Sequence, residues 1–285
     1  MVSLYTERDK MRRLVQTARE KAQSVALVPT MGGLHDGHLA LVKQVLPLYD
    51  LVIVSIYINP TQFASGEDLD RYPRTLEADC AALAQCDDKI CVFAPSSLYE
   101  PDNATMISVT GAALPLEGVY RPHFFNGVAT AVFHLFQAVP ADAAIFGEKD
   151  FQQLAVIRQM VRDLYLPITI LQAPTMRADD GLALSSRNSY LSADERSRAP
   201  RLYQQMIICA KQVAEGIAPD VACDNAKTSL ISQGFDRIDY FEWCDPVSLA
   251  PEITVQAQSR LLVGVWLGKT RLIDNDSFQN LCNAQ

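Results

Sequence analysis

The sequence predicts an α/β fold in which a parallel sheet carries helices on both faces, followed by a smaller α+β domain. Three observations lead to this prediction. Short segments rich in β-branched residues recur in the first part of the chain, they alternate with segments of helical periodicity, and the alternation ends after Pro174. With 285 residues and 49% hydrophobic content, the chain can bury a core of this kind.

The predicted strands are almost wholly apolar, as strands buried on both faces must be. They cover residues 24–30, 51–59, 90–94, 143–146 and 168–172. Helical patterns cover residues 39–48, 76–85, 128–138 and 152–165. This order predicts a doubly wound parallel sheet over residues 1–175.

The pattern changes in the last third of the chain. A polar loop follows Pro174, and helices are predicted at residues 199–215 and 222–233. Strands are predicted near Tyr240, Arg260 and Arg271. We therefore expect a first domain at 1–175 and a smaller one at 176–285.

Composition weighs against several classes of protein. Lys and Arg total 25 against 33 Asp and Glu, and this formal net charge of -8 disfavours a nucleic-acid partner. The seven cysteines are scattered and odd in number, which disfavours a disulfide framework and a structural zinc site. The charged N-terminus and the absence of a long uncharged apolar stretch predict a cytoplasmic protein with no membrane partner.

The first motif, residues 28–38, follows the first predicted strand and reads VPTMGGLHDGH. Gly32 and Gly33 allow a ligand to approach the backbone, and His35 and His38 can face one oxygen cluster from the first turn of a helix. The alternative is that the two histidines cap the helix or lie on its surface. Two of the chain's four histidines in one Gly-rich turn favour a phosphate site.

The second motif, YINPTQF at residues 57–63, ends the next strand. Asn59 and Gln62 would emerge at the same sheet edge as the histidines, and Pro60 favours an extended Asn59. An ordinary structural turn is equally compatible with these residues.

The third motif, FGEKDFQQ at residues 146–153, lies at another junction of strand and helix. Lys149 could reach nucleotide phosphates as a compact charge. Glu148 and Asp150 could instead form an acidic first turn that complements the helix dipole.

The fourth motif, LSSRN at residues 184–188, supplies two hydroxyls and a guanidinium that suit phosphate oxygens. By itself it could equally be a surface loop. The combination favours one phosphate-handling site, because three motifs lie at strand ends and the chain has no Walker A sequence to offer a competing site.

Six blocks resemble, in order and spacing, the signature blocks of the pantothenate synthetase family. They are PTMGGLHDGH, INPTQF, DLDRYPRTLEAD, RPHFFNGVAT, FGEKDFQQLAVIRQMVRDL and DGLALSSRN, with a weaker echo at residues 267–275. The family belongs to the HxGH nucleotidyltransferases, whose core is Rossmann-like. The resemblance therefore implies an ATP-dependent ligase that condenses pantoate with β-alanine through a pantoyl-adenylate, with AMP and pyrophosphate as the other products.

The resemblance also implies roles for individual residues. His38, His35 and Lys149 would be catalytic, with His38 as the acid. The residues implied to bind ATP are Met31, Gly32, Gly33, Leu34, His35, Asp36, Gly37, His38, Gly147, Glu148, Lys149, Asp150, Met176, Leu184, Ser185, Ser186 and Arg187. Those implied to bind pantoate or β-alanine are Gln62 and Gln153, with Asn59, Tyr72 and Arg121 in support, and Asp68 and Asp70 as further candidates.

Magnesium is expected on the phosphates of ATP, held mainly by phosphate oxygens and water rather than by protein ligands. The family resemblance further implies a homodimer. The second domain is expected to carry a lid and to be associated with the dimer.

This chain departs from the family pattern at three places. Gly33 replaces a common Ala, Asp36 replaces a common Glu, and RPHFFNGV replaces RPGHFRGV. The third change moves a histidine to position 123 and removes a basic residue, so no role is assigned to His123.

Two other functions remain open on the residues alone. Another HxGH nucleotidyltransferase would leave the nucleotide in its product, whereas a ligase releases AMP. An RNA-binding module with a synthetase-like core is disfavoured by the negative charge and by the lack of a basic aromatic strip.

Overall fold

A computed structural model describes residues 2–64 and 66–284. Its strands are β1 (Ser3–Tyr5), β2 (Val25–Thr30), β3 (Leu51–Ile56), β4 (Ile90–Phe93), β5 (Ala143–Gly147), β6 (Thr169–Ala173), β7 (Arg237–Cys244), β8 (Arg260–Leu267) and β9 (Thr270–Ser277). Its helices are α1 (Arg8–Glu20), α2 (Asp36–Val45), α3 (Leu76–Ala84), α4 (Glu117–Tyr120), α5 (Phe124–Ala138), α6 (Phe151–Asp163), α7 (Ala193–Arg198), α8 (Arg201–Ala214), α9 (Pro219–Ser232) and α10 (Phe278–Asn283). Short 3₁₀ turns lie at Pro60–Gln62, Asp68–Asp70, Glu148–Asp150 and Ser186–Tyr190.

The chain divides into two compact units. Unit 1 comprises Met1–Ala113, Arg121–Glu148 and Gln153–Pro174. Unit 2 comprises Leu114–Tyr120, Lys149–Gln152 and Thr175–Gln285. That residues 1–175 and 176–285 fold as separate domains stays a prediction.

Unit 1 is built on a six-stranded sheet in the order β1-β4-β3-β2-β5-β6. Every pairing in this sheet is parallel. The predicted fold class is therefore confirmed. The parallel order follows from the sequence because helical segments separate successive strands, and only such crossovers return the chain to the same edge.

The central strands are buried on both faces. Val52, Ile53 and Val54 of β3 are all 0% exposed, although successive side chains of a strand point to opposite sides. Helices must therefore cover the sheet on both faces, which explains why these strands read as continuous apolar runs.

Several element boundaries differ from the sequence prediction, among them the following three. Strand β3 ends at Ile56 instead of Asn59, because the Asn59 side chain starts the turn at Pro60–Gln62. Helix α2 begins at Asp36 instead of Leu39, because His35 caps it. Helix α5 begins at Phe124, four residues before the predicted start.

The N-terminal elements β1 and α1 were not predicted. Helix α1 buries Met11, Val15 and Ala18, which share one face, and its other positions are largely charged. In β1, Ser3–Tyr5 pairs with Cys91–Phe93 at the edge of the sheet. Such a short strand has too little sequence pattern to be recognised without its neighbour.

Unit 2 contains an antiparallel sheet in the order β7-β8-β9. The strands predicted near Tyr240, Arg260 and Arg271 and the two long predicted helices are confirmed. Phe241, Leu261 and Val263 of the sheet share one core with Leu202 and Met206 of α8. A two-residue turn joins β8 to β9, and its Gly268 has φ +58°, a conformation that glycine adopts readily.

Within residues 2–64 and 66–284, no helix combines the length and the apolar composition needed to cross a bilayer.

Candidate active site

The candidate site lies where the strand order of unit 1 reverses. The chain runs outward from β2 through β3 to β4, and β5 then pairs on the other side of β2. Open parallel sheets bind ligands at the carboxyl ends of the strands beside such a reversal. The histidine turn follows β2, Asn59 and Gln62 follow β3, and Gly147 ends β5. The structure thus brings these sequence-predicted segments to one edge.

His35 and His38 form the first turn of α2. His35 is the N-cap residue, and its Nδ1 accepts a hydrogen bond from the Gly37 amide at 3.1 Å. Nδ1 of His38 accepts from the His35 amide at 3.4 Å. The two ring centroids are 4.1 Å apart. The two histidines therefore cap the helix, and their role in phosphate binding stays a prediction.

These hydrogen bonds determine where each neutral ring carries its proton. A nitrogen that accepts a hydrogen bond from an amide cannot itself be protonated, so the proton lies on Nε2. Nε2–H is then a donor. Two such donors beside the positive end of a helix favour an anion.

The Gly-rich turn before α2 is held by Asp79 of α3. Its carboxylate accepts from the Gly33 amide at 3.0 Å, the Leu34 amide at 2.9 Å and the Thr75 hydroxyl at 3.2 Å. Asp79 is 3% exposed. These two amides therefore face Asp79, a contact that the sequence analysis did not predict.

Gly32 makes this contact possible. Its φ is +89°, and a Cβ there would lie 3.1 Å from Ile56 Cγ2 and 3.2 Å from Asp79 Oδ2. The position thus requires glycine for its backbone conformation and for the close approach of Asp79. Met31, Leu34 and Gly37 are half-buried near it in the chain, and Asp36 is exposed.

Asn59 is 2% exposed and its amide is fully engaged. Nδ2 donates to the Gly127 carbonyl at 3.1 Å, and Oδ1 accepts from the Tyr99 hydroxyl at 3.0 Å and the Thr61 hydroxyl at 3.0 Å. Asn59 therefore ties the Pro60–Gln62 turn to α5. Its implied part in substrate binding stays a prediction, and the geometry shows how it places Gln62.

Arg121 also supports Gln62. Its guanidinium donates to the Gln62 carbonyl at 3.0 Å and forms a two-point ion pair with Glu67, at 2.7 and 2.6 Å. The guanidinium stacks 3.9 Å from the centroid of the Phe124 ring. Tyr72 is buried against the Phe63 ring, with centroids 5.9 Å apart. Direct pantoate contacts of Arg121 and Tyr72 stay predictions.

The GEKD segment is divided between the two units. In unit 1, Glu148 accepts from Gln172 Nε2 at 2.7 Å. In unit 2, Lys149 Nζ lies 3.5 Å from Asp150 Oδ1, and the Lys149 carbonyl accepts from Asn275 Nδ2 at 2.7 Å. Gln153, in unit 1, is half-buried near the start of α6. The side chains of Glu148 and Asp150 therefore interact with Gln172 and Lys149, in addition to any interaction with the α6 dipole.

The segment 176–187 begins with a narrow loop in unit 2. Arg177 and Ala183 form a β-bridge, and the Leu184 amide donates to the Met176 carbonyl at 2.9 Å. The Ser185 hydroxyl accepts from the Arg187 amide at 3.3 Å and caps the Ser186–Tyr190 turn. Met176 is 44% exposed, and its contact with adenine stays a prediction.

Sequence reasoning missed three buried polar residues, Asp79, Asp274 and Asn275. Asp79 holds the histidine turn, Asn275 holds the Lys149 carbonyl, and Asp274 pairs with Arg177. Each partner is distant in sequence. A carboxylate at a helical position that would face the core was the available signal for Asp79.

The comparisons with known proteins decide the family. The sequence profile described as Pantoate-beta-alanine ligase matches residues 3–277. The chain belongs to the pantoate–β-alanine ligase family. A pantothenate synthetase of Caulobacter vibrioides is 48% identical over 273 residues, which cover 93% of this chain and 95% of the relative.

Solved structures of pantoate–β-alanine ligases share the fold. A pantothenate synthetase from Thermus thermophilus has a TM-score of 0.91 and 38% identity, with coverage of 97% of this chain and 99% of the other. The Francisella tularensis ligase has a TM-score of 0.83 and 30% identity, with 98% of both chains covered. ATP-dependent ligation of pantoate and β-alanine is therefore the activity of this chain.

Proposed function

We propose that this ligase works through a pantoyl-adenylate, with His38 as the acid at the leaving pyrophosphate. A pantoate carboxylate oxygen attacks the α-phosphorus of ATP, and the bond from that phosphorus to the pyrophosphate oxygen breaks. The β-alanine amine then attacks the acyl carbon, loses a proton, and expels AMP. The observation that supports this best is the pair of Nδ1 contacts that leave His35 and His38 with Nε2–H donors.

The chemistry asks mainly for positioning and for neutralisation of charge. Donors that meet the leaving pyrophosphate stabilise the transition state more than bound ATP. We assign this part to His38, His35 and Lys149, and assign pantoate to Gln62 and Gln153, with Gln62 also beside β-alanine. The Francisella relative was solved with "Beta-gamma ATP and Beta-alanine", which supports two of these ligands.

The remaining ATP contacts are proposed from the family pattern. Met31 to His38 would surround the nucleotide, Gly147 to Asp150 would meet its ribose and phosphates, and Met176 would border the adenine. Leu184 to Arg187 would act as a lid that closes over the triphosphate and shields the acyl-adenylate from water.

Magnesium would arrive on ATP and lower the charge repulsion between its phosphates. Among the described residues, no three His, Cys, Asp or Glu side chains are grouped to hold a metal ion. We propose that phosphate oxygens and water hold the ion, because Mg²⁺ bound with nucleotides keeps several water ligands.

ATP–pyrophosphate exchange tests the adenylate. Labelled pyrophosphate should enter ATP when pantoate is present and β-alanine is absent. Adenylate formation then runs in both directions, because the second step cannot proceed without the amine. Exchange that requires β-alanine would contradict an adenylate formed before the amine attacks. A product that retains the nucleotide would indicate a nucleotidyltransferase with a phosphate acceptor.

His38→Ala tests the acid. We expect kcat for exchange to fall on the order of 10²-fold, with a much smaller change in the KM for ATP, because the donor acts mainly in the transition state. His123→Ala is the matched control, since His123 is exposed at the start of α5. Near wild-type kcat in the His38 variant would remove its assignment.

We also propose a homodimer in which residues 104–110 pair with the same residues of a second copy. This segment of unit 1 belongs to no helix or strand and is mostly exposed, and Met106 is 65% exposed. The Ile107 amide donates to Thr130, whereas the structure shows no partner among the described residues for the amides of 104–106 and 108–110. Antiparallel self-pairing satisfies such groups about a two-fold axis.

Light scattering coupled to size exclusion tests the dimer. The wild type should run at twice the chain mass of 31.5 kDa, and Ser108→Pro should run as a monomer because proline removes an amide and disrupts pairing. A monomeric wild type would contradict the proposal.

A cytoplasmic location stays a prediction from the sequence.

A further inference from the structure

Two consecutive polar residues near the end of β9 are buried. Asp274 is 4% exposed and Asn275 is 2% exposed. Their side chains point to opposite faces of the strand. Burial of a polar group lowers the stability of the fold unless the group is hydrogen-bonded. The hydrogen-bond partners of these two residues therefore show which segments β9 positions.

Asn275 holds the Lys149 segment. Its Nδ2 donates to the Lys149 carbonyl at 2.7 Å, and its Oδ1 accepts from Arg260 Nε at 2.7 Å. An arginine can only donate, so Oδ1 must face Arg260 and Nδ2 must face the carbonyl. The Arg260 guanidinium also lies 4.1 Å from the ring centroid of Phe151, which follows Lys149 by two residues. The amide is therefore fixed in orientation and fixes the Lys149 backbone.

Asp274 holds the segment that leads to the lid. Its two oxygens accept from Arg177 Nη1 and Nη2 at 2.6 and 2.9 Å. Arg177 Nη1 also donates to the Gly181 carbonyl at 3.2 Å, across the narrow loop. Burial would lower the pKa of the Arg177 guanidinium, but the charge and hydrogen bonds of Asp274 outweigh it, and the pKa is raised. The Arg177 guanidinium therefore stays protonated.

We propose that Asp274 and Asn275 are positioning residues for the adenylation step: Asn275 places Lys149, and Asp274 places the loop before Leu184 to Arg187. The inference rests on the proposed roles of Lys149 and the lid. A single strand then fixes the backbone positions of two segments assigned to ATP. Displacement of a catalytic group by about 1 Å can cost up to about 10²-fold in rate.

Asn275→Asp tests the Lys149 contact with least disturbance. The carboxylate still accepts from Arg260 but cannot donate to the Lys149 carbonyl. We expect kcat for ATP–pyrophosphate exchange to fall by about tenfold or more. Asn280→Ala is the control, because its exposed amide bonds to Asp276 of β9 and makes no contact with Lys149.

A double-mutant cycle with Lys149→Ala separates positioning from general damage. If Asn275 acts through Lys149, Asn275→Asp should change the rate of the Lys149→Ala enzyme by less than about twofold. Multiplicative losses would overturn the inference, as would wild-type kcat in Asn275→Asp or in Lys149→Ala. Asn275→Ala provides a second variant, and its thermal midpoint reports whether the unit remains folded.

Asp274→Asn tests the other contact by hydrogen exchange. In Asp274→Asn, the amides of residues 178–187 should exchange faster than in wild type, while the amides of α9 should not change. In the control variant Asn280→Ala, exchange of residues 178–187 should match the wild type. Unchanged exchange would overturn this part of the inference. Failure of the proposed function is recognised separately, because the wild type would then show no pantoate-dependent exchange with pyrophosphate.

Discussion

At the scale of single residues, the backbone of the histidine turn determines which ring nitrogen of His35 and of His38 can donate a hydrogen bond. Nδ1 of His35 and of His38 accepts from the backbone, and this fixes Nε2–H as the donor. Helix capping is thus the means by which the rings are oriented. A capping role therefore does not exclude the proposed role in phosphate binding.

Asp79 holds the turn that precedes the two histidines by accepting hydrogen bonds from its amides. Replacing it with alanine would remove the Asp79 acceptor from the half-buried Gly33 and Leu34 amides. We expect the free energy of unfolding to fall by roughly 2 kcal/mol, from the lower end of about 1–3 kcal/mol for each of the two amides, because both are only half-buried. Urea unfolding measures this, with Asp102→Ala at an exposed position as control. Equal stability of the two variants would contradict the structural role of Asp79.

At the scale of elements, α5 and the Pro60–Gln62 turn are in close contact. A Cβ at Gly127 would lie 2.2 Å from the Thr61 carbonyl oxygen. Alanine favours a helix over glycine by about 1 kcal/mol, but an overlap with backbone cannot be relieved by side-chain rotation. The tight packing explains why a glycine lies inside a helix at this point.

Gly127→Ala should therefore lower stability by about 1–3 kcal/mol despite its better helix propensity. Because the turn carries Gln62, the KM for pantoate should rise as well. Thermal unfolding and initial-rate kinetics measure the two effects. Gln137→Ala, at an exposed position of the same helix, should change neither. A stabilised Gly127 variant would show that the turn can move without cost.

The lid is the second prediction at this scale. With magnesium and a non-hydrolysable ATP analogue, amides of residues 178–187 should exchange more slowly, because closure over the triphosphate orders them. Residues of α9 serve as the internal reference. Identical exchange with and without the nucleotide would show that this loop does not close.

At the scale of the whole molecule, the cysteines are distributed between buried and half-buried positions. Cys209, Cys223 and Cys244 are buried, and Cys80, Cys86, Cys91 and Cys282 are partly exposed. Burial raises the pKa of the Cys244 thiol to about 12. It therefore stays protonated at neutral pH and becomes reactive only as pH rises through that pKa.

Thiol titration tests this distribution. At pH 8 the native protein should react rapidly with no more than the four partly exposed cysteines, and all seven should react in guanidinium. Only about one in 10⁴ Cys244 thiols would be ionised at that pH. Rapid native reaction of seven thiols would contradict the buried assignment. Dithiobis-nitrobenzoate absorbance provides the count.

The sequence by itself determined the fold class and the order of the main elements. Strands such as 51–56 are apolar at nearly every position, and their alternation with helical segments is typical of a parallel sheet with helices on both faces. It also located the motifs at strand ends, and its signature blocks identified the family. These properties are local in sequence, so they can be read without the partners.

The tertiary structure alone decided which polar groups hold the motifs. Asp79 contacts amides 46 and 45 residues away, and Asn275 contacts the Lys149 carbonyl 126 residues away. A hydrogen bond depends on distance and angle, which sequence spacing does not specify over such separations. The sequence therefore predicts which residues carry the chemistry, and the folded chain decided which other residues hold those segments in place.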